Sequence, residues 1–199
     1  MSDAEASLGG RLPLLRPADL NAAQKALWDR MSTTVAADVS KTGAETRTAD
    51  DRFIGPFNPM LRSPEIAQTF LQLQLDEAKG TSLSERVRQI VILSVGSVWH
   101  SPYELYAHAA AARKAGFFED CVAALVAGEP SSELATEEAL AQRLALALTT
   151  QHAADDELYA EALQRFGEKG LVDFAVLAGC YHLVCGLLNL FAVPAPKAA

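Results

Sequence analysis

Residues 83–116 read LSERVRQIVILSVGSVWHSPYELYAHAAAARKAG, and this stretch decides the fold. Its first half is so dense in apolar residues between Val87 and Val98 that it predicts a helix buried over much of its surface. The pair Ser101-Pro102 then supplies an N-cap and a first-turn proline, so a second helix is expected to begin there. In that second helix Glu104 and His108 are four residues apart and therefore share one face.

Helical patterns continue on both sides of this stretch. Residues Asn21–Gln24 and Ser82–Glu85 each have the form of a capping box. Helix-stopping glycines recur along the chain, and no segment alternates with the period of two that a strand requires. Residues 1–199 are therefore predicted to form a single all-α domain built as a helical bundle, with residues 1–18 as a loose N-terminal arm. The expected helices cover about 22–39, 64–78, 83–99, 102–115, 119–127, 133–150, 156–166 and 171–191.

Composition narrows the range of partners and locations. The net charge is −8, and no stripe of Lys and Arg is present. This composition argues against nucleic acid or an anionic membrane as a partner, because both bind basic surfaces. Three cysteines without a paired motif suit reduced thiols, and the N-terminus lacks a signal-peptide pattern, so a cytoplasmic protein is expected.

The apolar segment 174–193 is long enough to cross a membrane. A core helix is the favoured interpretation, because His182 and Asn189 interrupt it and no basic cluster flanks it.

Two segments before residue 65 are expected to be loops. Residues 40–53 are polar and uncapped, which predicts an exposed loop that moves freely. Residues 55–64, GPFNPMLRSP, combine prolines with apolar anchors, so they are expected to pack over something. Lining a pocket and covering the core are equally compatible with that pattern.

Four ordered blocks of the chain resemble the carboxymuconolactone decarboxylase family of the AhpD-like superfamily. The resemblance covers residues 55–194, with Leu83 to Gly116 as its specific part. It implies an all-α, AhpD-like helical bundle that assembles as a homo-oligomer, a trimer or hexamer, with an active site near a subunit contact. The blocks are GPFNPMLRSPE (55–65), LSERVRQIVIL (83–93), YELYAHAAAARKAG (103–116) and LLNLFAVP (187–194).

The same resemblance argues against the redox chemistry of part of that family. Family members with hydroperoxidase activity have two cysteines and a histidine where this chain has Ser101, Glu104 and His108. Neither serine nor glutamate can replace a thiolate in disulfide chemistry. Cys180 and Cys185 are five residues apart and would point about 140° away from each other on a helix. The chain is therefore expected to lack the CxxC-type peroxidase activity.

Decarboxylase members share the Glu104 and His108 pair, which makes both the predicted catalytic residues. Histidine titrates near neutrality, so we expect His108 to move the proton and Glu104 to orient it. A competing explanation for Glu104 is a capping box with Ser101. Gln89 stands where the family usually has a glutamate, and an amide cannot relay a proton.

Further residues are predicted to bind the substrate. Trp99 and Tyr103 lie beside the break between the two helices, and Gln89 precedes it. Asn58 lies in the proline-containing segment 55–64. Asn189 lies in an apolar helix, so its side chain needs a polar partner, either at a pocket or at a subunit interface. No set of side chains has metal-ligand spacing, and no cofactor is expected.

With the Glu104 and His108 pair, the resemblance implies a cofactor-free lyase or isomerase doing acid–base chemistry on a small carbonyl acid or lactone, in aromatic compound catabolism. An oligomeric ligand-binding protein that has lost the relay is the alternative, suggested by Gln89. An alkylhydroperoxidase or peroxiredoxin-like oxidoreductase is a third and weaker possibility.

Overall fold

The structure is a computed structural model that describes residues 8–197. Within that range it is all-α, as predicted, and its one β-type contact is an isolated bridge between Arg47 and Phe53. A 3₁₀ turn at Pro17–Asp19 precedes the first α-helix. The α-helices are α1 (Ala22–Thr33), α2 (Val35–Ser40), α3 (Phe57–Met60), α4 (Pro64–Gly80), α5 (Glu85–Trp99), α6 (Pro102–Lys114), α7 (Glu119–Ala127), α8 (Thr136–Thr150) and α9 (Asp156–Leu190).

Helix α5 is the centre of the bundle and packs against α6, α7, α8 and α9. Its residues from Gln89 to Ser97 are all buried, because this segment has neighbours on every side. Besides the apolar cluster around α5, a second one lies between α6, α9 and the segment before residue 72. Because α6 and α9 contribute to both clusters, we infer that the described residues form one domain.

Several helix starts differ from the sequence prediction. The capping box at Asn21 and Gln24 is present as expected. The box predicted at Ser82 is wrong: Ser84 is the N-cap of α5, and Ser82 instead donates to Asp173. Helix α1 also ends earlier than expected, at Thr33, and α2 follows it directly.

The last two predicted helices form a single element, α9, interrupted at Gly167. That residue has φ 67° and ψ 173°, which no helix contains and which glycine adopts without steric cost. By length and composition α9 alone among the described helices is apolar enough to cross a membrane, a test that core helices also pass. Of its most apolar window, 39% is buried within the chain.

The N-terminal arm is not loose over the part that the structure describes. Arg11 donates its backbone N–H to the carbonyl of Phe191, at 2.7 Å. Asn58 accepts the backbone N–H of Leu15, at 3.2 Å, and so ties the arm to α3. These bonds correct the prediction for residues 8–18, whereas residues 1–7 lie outside the described range.

Residues 40–53 also pack more closely than predicted. Phe53 is 1% exposed, and the ring of Trp28 lies 5.5 Å from its ring. Tyr103 donates its hydroxyl to the carbonyl of Glu45 at 2.7 Å, and Tyr106 accepts the backbone N–H of the same residue at 3.0 Å. Two tyrosines of α6 therefore hold this loop in place.

Candidate functional site

The corner between α5 and α6 determines where the site lies. α5 ends at His100, which adopts a left-handed conformation with φ 48°, and Pro102 begins α6 in a new direction. The two helices approach closely because Gly96 lacks a side chain: a Cβ there would lie 3.2 Å from Leu105. This packing places Glu104 and His108 of α6 against Gln89 of α5.

A cavity of about 200 Å³ lies beside this helix pair. Glu104 and His108 line it, and most of the other lining side chains are apolar. The N-terminal part of the chain forms one side of it, with Pro56 and Phe57 from segment 55–64, so that segment both lines the pocket and covers the core. The remaining lining residues are Val35, Asp38, Val39, Met60, Gln74, Leu75, Glu77, Ala78, Arg88, Tyr103, Ala107, Leu177, Cys180, Tyr181 and Val184.

The capping-box explanation for Glu104 does not hold. Ser101 is the N-cap of α6, but its side chain makes no capping bond. Glu104 is 3% exposed, and its Oε1 lies 3.1 Å from Nε2 of His108. The carboxyl group therefore faces the histidine rather than the helix terminus.

A chain of polar contacts runs from this pair to the protein surface. Nδ1 of His108 lies 2.8 Å from Oε1 of Gln89. Nε2 of Gln89 donates to Oε1 of Glu85 at 2.7 Å, and the Glu85 side chain is exposed to solvent. A carboxylate only accepts hydrogen bonds, so Glu85 fixes the orientation of the Gln89 amide.

That orientation determines which atoms carry protons. Because the oxygen of Gln89 faces His108, Nδ1 must be the protonated ring nitrogen, and Nε2 offers a lone pair to Glu104. Oε1 of Glu104 is buried and receives no hydrogen bond from a described donor. The 3.1 Å contact is therefore favourable when Glu104 is a neutral acid that donates to Nε2.

The electrostatics of the site lead to the same proton arrangement. Burial raises the pKa of Glu104 to about 8. Burial, together with the positive charge of Arg88, lowers the pKa of His108 to about 3. Both groups are thus uncharged at neutral pH, because the free-energy cost of moving a charge out of water exceeds the attraction that the partner group supplies.

Three further lining residues were not predicted from the sequence. Arg88 forms an ion pair with Glu77 at 2.5 Å, with side chains 13% and 5% exposed. The ring of Tyr181 meets that of His108 edge-on, with centroids 5.0 Å apart. Burial raises the pKa of the Tyr181 hydroxyl, so it remains a donor at neutral pH.

Little in the sequence indicates that these three residues line the cavity. Arg88 adjoins Gln89 in the quoted motif, but one position on a helix turns the side chain by about 100°. Glu77 and Tyr181 lie on other helices, and only tertiary packing brings them together.

The predicted substrate-binding residues do not all lie at this cavity. The ring of Tyr103 lines it, although its hydroxyl is bonded to the loop at Glu45. Trp99 donates its ring N–H to His182 at 2.9 Å, and Asn189 donates to the Trp99 carbonyl at 2.6 Å, in a separate cluster. Asn58 holds the N-terminal arm. The structure places His108, Glu104 and Tyr103 in the cavity wall. Gln89 contacts His108 without lining the cavity, and Trp99, Asn58 and Asn189 lie elsewhere.

The three cysteines are free and buried. Cys180 lines the cavity, where burial raises the pKa of its thiol to about 11, and burial also raises the pKa of Cys121 and Cys185. Thiols with raised pKa values are poor nucleophiles at neutral pH. Across residues 8–197, no group of three or more His, Cys, Asp or Glu side chains is placed to hold a metal ion.

Residues 64–147 match the Carboxymuconolactone decarboxylase family. A search of the curated proteins found no match to the chain. Solved structures share its fold at low sequence identity, so they establish the fold alone.

One similar structure is an uncharacterized peroxidase-related protein from Silicibacter sp. TM1040. It is 16% identical, with a TM-score of 0.73 over 98% of this chain and 96% of that one. An alkylhydroperoxidase AhpD core protein from Ralstonia eutropha JMP134 is 14% identical, with a TM-score of 0.71 over 95% and 93%. A single-residue variant of the debrominase Bmp8, in complex with 2,3,4-tribromopyrrole, is 15% identical, with a TM-score of 0.68 over 96% and 92%.

Proposed function

The chain belongs to the carboxymuconolactone decarboxylase family through residues 64–147, and from this premise we propose that it is a cofactor-free lyase or isomerase acting on a small carbonyl compound. One observation carries the proposal. A buried carboxylic acid, Glu104, and an imidazole that is 13% exposed, His108, lie 3.1 Å apart in the wall of a largely apolar cavity. Glu104 carries one transferable proton, and Nε2 of His108, which accepts its hydrogen bond, carries one basic lone pair.

The two groups act on neighbouring parts of one ligand. Glu104 transfers its proton to the carbonyl oxygen, and Nε2 of His108 removes a proton from the carbon next to the carbonyl. The electron pair of the broken C–H bond forms the C=C bond of an enol, and the π pair of the carbonyl becomes a lone pair on oxygen. In the second step the enol O–H proton returns to Glu104 as the carbonyl re-forms, and the imidazolium of His108 protonates the γ-carbon. The C=C bond is thereby moved into conjugation, and both side chains are restored.

The intermediate state places two opposite charges side by side. After the first step Glu104 is a carboxylate and His108 an imidazolium, and their attraction at this separation offsets part of the cost of creating charge in a buried site. Gln89 accepts the Nδ1 hydrogen throughout, so the ring keeps its orientation. Tyr181 supplies a hydroxyl donor for the substrate oxygen.

This division of roles differs from the one expected from the sequence, where His108 moved the proton and Glu104 oriented it. A group with a pKa of about 8 exchanges protons efficiently near neutral pH, whereas one with a pKa of about 3 is almost always deprotonated. Glu104 is therefore the group that holds the proton at neutral pH, and His108 accepts the hydrogen bond of that protonated acid.

The substrate class follows from size and from the relatives. A dry cavity of about 150 Å³ holds benzene, so the 200 Å³ here suits one substituted ring. The similar debrominase was solved with a single-ring heterocycle, 2,3,4-tribromopyrrole. A ring-containing acid or lactone from aromatic compound catabolism, processed in the cytoplasm, is consistent with these features.

A β,γ-unsaturated five-membered lactone is a suitable probe, with proton NMR in D₂O recording both isomerisation and deuterium uptake. Replacing Glu104 by Gln removes the proton while keeping the shape, and it should lower the rate by about 10²-fold or more. Glu65→Gln, an exposed glutamate on α4, is the matched control and should leave the rate unchanged. Equal rates for wild type and Glu104→Gln would contradict the proposal.

A second candidate function is ligand binding without turnover. It is suggested by Gln89, because an amide ends the path by which protons would pass from His108 to Glu85 and the solvent. Saturable binding of the lactone, together with no isomerisation or deuterium uptake between pH 6 and pH 9, would favour it. A thiol peroxidase is excluded if peroxide reduction is the same when all three cysteines are replaced by serine.

We also propose that the protein is a homo-oligomer, a trimer or hexamer. Val172, Leu183 and Leu190 on α9 are 62%, 47% and 61% exposed. Their spacings of eleven and seven residues place them on one face of the helix. An apolar row of this kind is typical of a helix that packs against another subunit, and a second copy of the chain is the proposed occupant.

A further inference from the structure

The charges around the cavity are already paired within the protein. Arg88 is the one Lys or Arg among the described residues that line it, and its Nη1 is bonded to Glu77 at 2.5 Å. Its Nε also lies 3.5 Å from Glu85. Asp38, at the edge, is bonded to Lys41 at 2.7 Å. Arg88 thus faces two carboxylates, and no lining cation is left over for a ligand.

An anionic ligand would be poorly compensated here. A carboxylate entering the cavity would lose its water and would approach Glu77 as closely as Arg88. The Glu104–His108 pair offers no positive charge, because the proton resides on the acid that faces a neutral imidazole. An uncharged carbonyl has neither problem, since a single donor satisfies its oxygen and the apolar wall accepts its ring.

We propose that this cavity selects uncharged single-ring carbonyl compounds, such as lactones and cyclic enones, over carboxylates of the same shape. Glu77 is the residue that sets this selectivity, because it neutralises Arg88 inside the cavity wall. The inference rests on the proposed function for the identity of the site. It directs that function toward proton shifts on neutral rings and away from decarboxylation of an ionised acid.

Three isosteric probes separate charge from shape: benzamide is neutral, benzoate is an anion and benzamidinium is a cation at pH 7. Binding to the full-length protein is measured by isothermal titration calorimetry and by ligand-observed NMR. We expect the wild type to bind benzamide at least about tenfold more tightly than either charged probe.

The Glu77→Gln variant should remove most of the preference against the anion. Its amide still accepts from Arg88 and holds the guanidinium in place, but one of the two carboxylates that offset the positive charge is removed, and it is the one that lines the cavity. Benzoate affinity should rise at least about tenfold, and benzamide affinity should change by less than about threefold. Asp76→Asn is the matched control, because it makes the same charge change one residue away and outside the cavity lining; its probe affinities should equal those of the wild type.

Benzoate binding to the wild type as tightly as benzamide would overturn the inference, as would binding of none of the three probes. An unchanged benzoate affinity in folded Glu77→Gln would do so too. If that variant does not fold, the wild-type ratio of benzamide to benzoate affinity still decides. These affinities do not depend on turnover, so the charge selectivity can hold when the Glu104-dependent lactone isomerisation is absent, and the reverse.

Discussion

Replacing Glu104 by Gln should stabilise the protein, and the gain should grow with pH. In the folded chain burial holds the pKa of Glu104 at about 8, whereas an unfolded chain has it near 4.5. Between these values the folded protein keeps a proton that the unfolded chain has released. Stability therefore falls as pH rises through this window, by about 1.4 kcal/mol per pH unit.

His108 has the opposite effect over a lower range. Its folded pKa of about 3 lies below the ordinary 6.5, so the unfolded chain binds the extra proton and stability rises with pH up to 6.5. The two slopes cancel between pH 4.5 and 6.5. From pH 6.5 to 8 only Glu104 acts, and the wild type should lose about 2 kcal/mol.

The measurement is urea denaturation followed by circular dichroism at pH 5, 6.5 and 8, at fixed ionic strength and protein concentration. The quantity of interest is the difference in unfolding free energy between Glu104→Gln and the wild type, because other titrating groups cancel in it. That difference should increase by about 2 kcal/mol from pH 6.5 to 8, or about 4–8 °C in melting temperature. Glu65→Gln should show no such change.

Parallel pH profiles for wild type and Glu104→Gln between pH 6.5 and 8 would refute the reasoning. They would mean that Glu104 is ionised in the folded protein, and that the proton arrangement deduced from Gln89 is wrong.

Three further predictions concern the relay, the loop and the assembly. Gln89→Glu should raise the pKa of His108 by about a unit or more, because a carboxylate then accepts its Nδ1 hydrogen; an unshifted NMR titration of the His108 ring would contradict this. Tyr103→Phe removes a bond to the Glu45 carbonyl and should cost about 1 kcal/mol, or about 2–4 °C in melting temperature; an unchanged thermal melt would show that the loop does not depend on it. Leu183→Glu should reduce the mass measured by light scattering from that of an oligomer to that of one chain; a wild type that is already monomeric would refute the proposed assembly.

The helical architecture was predictable because it follows from local patterns. Apolar spacing and terminal residues such as Asn21 act within one or two turns, so the sequence displays them directly. Capping at α5 was misassigned by two residues, because Asp173, 91 residues away, takes the hydrogen bonds of Ser82 that a cap would have used. The arm at residues 8–18 was misjudged for the same reason, since its partners lie near residues 58 and 191.

The candidate site was predictable only along one helix. Glu104 and His108 are adjacent on α6, and their pairing needs only helical geometry. Which of them carries the proton depends on burial and on the amide orientation fixed through Gln89, and neither is visible in the order of residues. Glu77 and Tyr181 come from α4 and α9, so only the packed structure identifies them.

Two separate parts of the chain form the wall of the cavity, and Tyr103 and Tyr106 hold the loop of the earlier part in place. The acid and the imidazole lie within residues 64–147, whereas much of the opposite wall, including Val39 and Met60, comes from the segment before it. Gly55 fits that segment against α6, because a Cβ there would lie 2.2 Å from the Tyr103 ring. Under the proposed function, substitutions in the early segment are expected to change which ring is accepted while the proton-transferring pair stays the same, so ligand preference and chemistry can evolve separately.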